Sequence, residues 1–256
     1  MMRSLPPSLD DIVPRLLVSV VLLALFAACG SPSPTVLVAS SLAAVAEELT
    51  HAWDARSGVS EAGSQVLAAQ VEAGADADVV LLADSHVAEE LMAAGLAPPP
   101  ITLATTGLSV LSRPNAGVRS VADLAREDVR LVLADAAVPL GRYTRAGLDL
   151  LERGGALGPG GAAVVIDNAR SLEDSARLVV AKLVAGEADA AIVYRTDSLR
   201  AVAIDPSLRI LEWPGPAQVE VLYTAQALTA RGEDLVRFLR SDAAVPIWED
   251  HGFDPR

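Results

Sequence analysis

Short apolar runs recur along the chain beside segments of helical periodicity. "TVLVA" (35–39), "DVVLLAD" (78–84), "VRLVLAD" (129–135) and "DAAIVY" (189–194) read as buried strands. Helices are expected over 42–56, 64–73, 85–94, 141–152, 174–185, 231–240 and 243–250, with glycine stops at Gly58, Gly74 and Gly95. Further strands are expected at "ITLATTGLSVLSR" (101–113), "AAVVID" (162–167), "LRILEW" (208–213) and "QVEVLYTAQAL" (218–228). Strands alternating with helices predict α/β layers with parallel sheets covered on both faces. Two stretches echo each other, "VEAGADADVVLLAD" (71–84) and "LVAGEADAAIVYRTD" (183–197). Each is a helix end, a glycine, an Ala-Asp turn and a strand, which suits two lobes built from similar units with a cleft between them.

The 256 residues are 52% hydrophobic and only 4% aromatic, so the core must be aliphatic. The net charge of −13 argues against nucleic acid, since no basic run is present to displace counterions from a phosphate backbone. Cys29 is the single cysteine, which excludes an intrachain disulfide or a multi-cysteine metal site. It follows the apolar run "LLVSVVLLALFAA" (16–28), too short for an ordinary membrane span but suited to a secretory signal. Ala27 and Ala28 precede it and "GSPSPT" follows as a flexible tether. This resembles a bacterial lipoprotein signal, with Phe26 and the acidic pair Asp10 and Asp11 as departures. Residues 1–28 are expected to be the signal, Cys29 the lipidation site and 29–34 the tether.

Motifs for covalent chemistry are missing. The three histidines, His51, His86 and His251, are not paired with a nucleophile motif, and Lys182 is the only lysine. Scattered Asp and Glu read as solvated faces, and no direct metal ligand is expected. What recurs is a helix opening just after a strand or loop, at Ser41, at Ser64, in "VPLGRY" (138–143) and in "EDSA" (173–176). In a parallel sheet such openings collect at the carboxyl ends of the strands, where free N–H groups and helix dipoles attract an anion without any cationic side chain.

These segments resemble, in order over residues 35–256, the molybdate-binding proteins of bacterial molybdate ABC transporters. The resemblance is carried by "VASSLAAVAEEL", "GSQVLAAQVEAGADADVVLLAD", "SVADLA" with "LADAAVPLGRYTRAGL", "GEADAAIVYRTD" and the ending "WEDHGF". It implies a two-lobed α/β fold of the type II periplasmic-binding-protein class, with lobe one at 35–104 plus 216–256 and lobe two at 105–215. It also implies a non-enzymatic, exported, monomeric protein without a cofactor, which captures molybdate or tungstate and delivers it to a membrane permease. The implied donors are the Ser41 hydroxyl, the Ser64 hydroxyl and N–H, the Leu140 and Ala176 N–H groups, and the Tyr194 hydroxyl. Ser40 is read as a bystander. Leu140 stands where the family usually has Ala, and Ala176 where Val is common. Alternatives are another oxyanion such as sulfate or thiosulfate, a degenerate non-transporting homologue, or a lipid-anchored hydrolase, which needs a buried histidine near a serine.

One segment strains the match. A first helix over 42–56 is about 22 Å long, and the six steps from Gly58 to Ser64 span at most about 22 Å. The family's edge strand is therefore expected to be missing here. Either 59–63 is taut, or the first helix ends early, or Ser64 lies out of position.

Overall fold

The computed structural model describes residues 34–54 and 56–256. The expected signal and Cys29 lie outside the described residues. Strand β1 (Thr35–Ala39) leads through a tight turn (Ser40–Leu42) into α1 (Ala43–Trp53). Then follow β2 (Gly58–Ala62), α2 (Ser64–Glu72), β3 (Val79–Leu82), α3 (Ser85–Ala93) and β4 (Ile101–Thr106). The second part of the chain holds β5 (Leu108–Ser112), β6 (Leu131–Ala134), α4 (Pro139–Arg153), α5 (Gly161–Asp167), β7 (Ala169–Glu173) and α6 (Ala176–Val184). After β8 (Ala190–Tyr194), α7 (Arg195–Ile204) and β9 (Arg209–Glu212), the chain ends with β10 (Val221–Ala227), α8 (Ala230–Leu239), α9 (Val245–Asp250) and β11 (Asp254–Pro255).

The strands form two mixed sheets flanked by helices, which makes the fold a two-lobed α/β structure. One sheet has the order β11-β4-β10-β3-β1-β2 and the other β7-β6-β8-β5-β9. In the first, β2, β1 and β3 run parallel; in the second, β7, β6 and β8 do. Antiparallel pairs complete the sheets, β10 with β3 and β4, and β5 with β8 and β9. Apolar side chains fill both sheets: β3 and β8 are buried along their whole length, as continuous apolar runs in a two-face-covered sheet should be.

The chain passes between the sheets twice. The expected single strand over 101–113 is in fact β4 and β5, broken at Gly107, each in a different sheet. The return runs through 213–220. Gln218 on that return ties the two passages together: its Oε1 accepts from the Leu108 N–H at 2.9 Å, and its Nε2 donates to the Leu108 carbonyl at 3.3 Å. Any side chain at 107 would strike Gln218, which accounts for the glycine.

Three sequence expectations are corrected. The first helix stops at Trp53, because Asp54 turns extended (φ −149°, ψ 110°) and its carboxylate accepts from the Arg56 N–H at 3.0 Å. The Gly58 N–H then donates to the Pro34 carbonyl at 2.7 Å, and β2 pairs in register with β1 from Thr35–Gly58 to Ala39–Ala62. The edge strand is present, and the early helix stop gives it the length it needs. "AAVVID" is not a strand but the body of α5. Gly160 turns left-handed (φ 77°) before it, and the Glu152 carboxylate accepts from the Gly160 and Ala162 N–H groups at 3.0 and 2.9 Å. Gly161, Ala162 and Val165 face inward while Ala163 and Val164 are exposed, a helical spacing hidden in a β-branched run. The parallel edge strand in its place is β7. Helix α7 was not expected at all.

Helix α4 begins tight against the end of β6. A Cβ at Gly141 would overlap the backbone carbonyl of Asp135, which cannot rotate away. Gly141→Ala is expected to lower stability by about 1–3 kcal/mol, the usual range for overpacking, as read by urea unfolding; an unchanged midpoint would contradict this packing.

Candidate ligand-binding site

Between the sheets lies a small, tight cavity of about 10 Å³, counted as the space open to the centre of a water-sized sphere. Each residue that lines it sits at or just beyond the carboxyl end of one of the six parallel strands. Ala39 ends β1 and Ser40 and Ser41 follow it, Gly63 and Ser64 follow β2, and Ala83 follows β3. From the other sheet, Val138, Pro139 and Leu140 follow β6, Ser175 and Ala176 follow β7, and Tyr194 ends β8. None of these side chains is charged.

The five residues singled out from sequence, Ser41, Ser64, Leu140, Ala176 and Tyr194, thus surround one space, and all are buried. Ser40 lines it too, beside Ser41. The geometry explains what they offer. The turn into α1, and helices α2, α4 and α7, begin at Ala39, Gly63, Val138 and Tyr194 without a side-chain cap, so their first N–H groups stay unclaimed by side chains. At the start of α6 the Ser175 hydroxyl caps the Leu178 N–H at 3.3 Å. The Ser64 hydroxyl accepts from the Ala83 N–H at 3.2 Å, which leaves its own proton free to donate inward. Burial pushes the Tyr194 phenol well above its ordinary pKa of 10.0, with Tyr223, Tyr143, Asp197 and Asp84 adding to the shift. It therefore stays protonated and can only donate to an anion.

Several contacts hold the two sheets closed over this space. Asp84, the N-cap of α3, accepts from the His86 N–H at 2.8 Å and from Arg142 of α4 through Nε at 2.9 Å and through Nη2. Gln65 Nε2 donates to the Asp174 carbonyl at 3.0 Å, and Glu61 pairs with Arg177. The Leu222 N–H of β10 donates to the Tyr143 hydroxyl at 3.3 Å. All three tyrosines of the chain meet here in edge-to-face contact. Tyr143, Tyr194 and Tyr223 have centroids 6.4 and 6.0 Å apart, and Phe253 and Trp248 extend the row. A chain poor in aromatics has concentrated them where the lobes meet.

Sequence reasoning missed the groups behind the cavity. Among the described residues, the buried Tyr223 and Thr196 hydroxyls and Asp197 Oδ2 make no hydrogen bond of ordinary geometry. Ser41 and Thr196 lie near enough to Tyr223 to oppose, weakly, the rise that burial imposes on its pKa. Their signal was the "RTD" after Tyr194 and the "YTA" of β10. Burial likewise lifts Asp197 from 3.8 to about 7, with Arg200 opposing it. The histidines lie elsewhere: His51 and His86 are exposed, and His251 meets Glu48 at 3.0 Å, so no histidine lines the cavity.

A small, neutral cavity between two α/β lobes, walled by helix N-termini, suits a solute-binding protein. The chain belongs to the bacterial extracellular solute-binding proteins, whose family profile matches residues 34–254. It is 30% identical over 263 residues, 93% of this chain and 95% of the other, to a protein of Mycobacterium tuberculosis H37Rv named molybdate-binding protein ModA. The periplasmic molybdate-binding protein of Azotobacter vinelandii shares the fold with a TM-score of 0.71 and 22% identity, over 86% of this chain and 98% of that one. The sulfate-binding protein SubI of Mycobacterium tuberculosis H37Rv gives 0.73 and 15%, over 88% and 87%.

The raised Asp197 yields a pH test. Between pH 3.8 and about 7 the folded state keeps a proton that the unfolded state has released. This contribution is full below 3.8 and is lost as pH rises through about 7. Unfolding free energy should therefore fall across that window relative to Asp197→Asn, in paired urea titrations; a constant difference would contradict a buried carboxyl that Arg200 compensates only in part.

Proposed function

We propose that the protein captures molybdate or tungstate outside the cytoplasm and passes it to the permease of an ABC transporter, with no covalent chemistry. The observation that carries this reading is the neutral cavity at six strand ends, lined by Ser41, Ser64, Leu140, Ala176 and Tyr194. The Ser41, Ser64 and Tyr194 hydroxyls and the Ser64, Leu140 and Ala176 N–H groups together offer about six bonds. At roughly 1.5–3 kcal/mol each to an anion, these total on the order of 9–18 kcal/mol before desolvation and closure. Nanomolar to micromolar binding needs about 8–12. A neutral donor set suits a fully deprotonated tetrahedral dianion, because it offers little to accept the proton of a hydrogen phosphate. The molybdate-binding names among its relatives support the choice within that class, and cavity size would separate molybdate and tungstate from sulfate.

The anchoring belongs to the same reading. Lipidated at Cys29, the chain would work as a tethered monomer, its lobes at 35–104 with 216–256 and at 105–215 closing on the anion. Among the described residues no helix is long and apolar enough to cross a membrane.

Isothermal titration with molybdate, tungstate and sulfate tests this. Tight binding of the first two and weak binding of sulfate is expected, and Tyr194→Phe should weaken it about 10- to 150-fold, the worth of one bond to a charged group. No heat with any of the three would reject the function. Sulfate binding as tightly as molybdate would move the reading to a general oxyanion carrier.

A further inference from the structure

The start of α6 places two neighbours on two different spaces. Ala176 lines the neutral cavity, whereas Arg177 lines an adjoining, wider one of about 550 Å³. Ser40 forms part of both walls, so the two spaces are neighbours, and the wide one is taken as an outer chamber to the inner one. The charged groups of the chamber are Glu47, Glu61, Arg177, Arg200 and Asp205.

This chamber meets a physical difficulty. A dianion approaching a chain of net charge −13 is repelled at long range, and neutral donors in the inner cavity act only on contact. Helix dipoles fade within a turn, so a cation on the way in would supply the longer-range attraction. Arg200 is engaged by the buried Asp197 at 3.2 Å, on its own helix. Arg177 is different. Its side chain is 65% exposed, and it stands in the first turn of α6, where the helix dipole disfavours a positive charge. Helix stability therefore does not account for it. Its carboxylate partner is Glu61 on β2, which belongs to the opposite sheet, so this pair forms only when the lobes come together. Gln65 and Asp174 make a second bridge on the same edge.

The geometry points to Arg177 as a capture residue for the oxyanion. In the open form its guanidinium draws the dianion into the outer chamber. As the anion passes to the inner donors the lobes close, and Arg177 exchanges it for Glu61, which seals the chamber behind it. Capture charge and seal are one side chain used in succession, which leaves the inner site neutral and the bound anion releasable. The inference rests on the oxyanion reading above.

Stopped-flow tryptophan fluorescence with sodium molybdate, over a range of ionic strength, tests it on the whole protein. Trp213 is buried in the second passage between the sheets and serves as the probe. Arg177→Gln is expected to slow association on the order of tenfold at low salt and to abolish the fall in rate as salt is added. Arg177→Lys should recover most of the rate, since charge is what steers. Glu61→Gln should keep or raise the association rate while speeding release. Association unchanged in Arg177→Gln, with only faster release in both variants, would make the pair a latch alone and overturn the capture role. Wild-type protein that binds no oxyanion would overturn the proposed function and this inference together, whereas a binding wild type with an indifferent Arg177→Gln overturns only this one.

Discussion

A helix that follows a parallel strand begins where that strand ends, and its unpaired N–H groups point past the strand's carboxyl end. The rest of this structure depends on that constraint. Six parallel strands, three in each sheet, end at one cavity, and each supplies lining residues at or just beyond its last position. The first turns of the following helices supply oriented N–H groups and positive dipole ends. A double negative charge can then be taken out of water by fixed neutral dipoles, with no buried cation to be left unpaired once it leaves. The uncapped starts at Gly63 and Val138 fit that purpose, since a capping side chain would claim the same donors.

In the proposed function the donors act together only when the lobes are closed, which makes closure as much a part of the site as the hydroxyls. The tyrosine row and the Asp84–Arg142 pair span the join, while Gly107 and Gln218 link the two passages of the chain between the sheets. Exclusion of water by the same contacts would strengthen every bond inside.

The buried strands and most helices were legible because their apolar periodicity is strong. The failures share a cause, which is that the pattern at those places is set by polar or one-sided packing. Strand β2, "GVSEA", pairs with β1 alone and keeps polar side chains in water, so it carries no alternation to read. Helix α7 buries Thr196, Asp197 and Ser198 on its inner face, which hides it from any apolar period. "AAVVID" has strand-like composition but is fixed as a helix by Gly160 and the Glu152 carboxylate. For the site, the helix openings were visible as Ser41, Ser64 and the Leu140 and Ala176 segments. The doubt over Ser64 came from a helix drawn too long by three residues. Tyr223, Thr196 and the Asp84–Arg142 pair gather only in three dimensions, and nothing local in the chain announces them.

The central claim is that one buried, uncharged cavity holds the anion. Crystals grown with molybdate and measured at the molybdenum absorption edge test it most directly. A single anomalous peak is expected within hydrogen-bond distance of the Ser41, Ser64 and Tyr194 hydroxyls and of the Leu140 and Ala176 N–H groups. A peak at Arg177 or elsewhere on the surface, with the inner cavity empty, would contradict it.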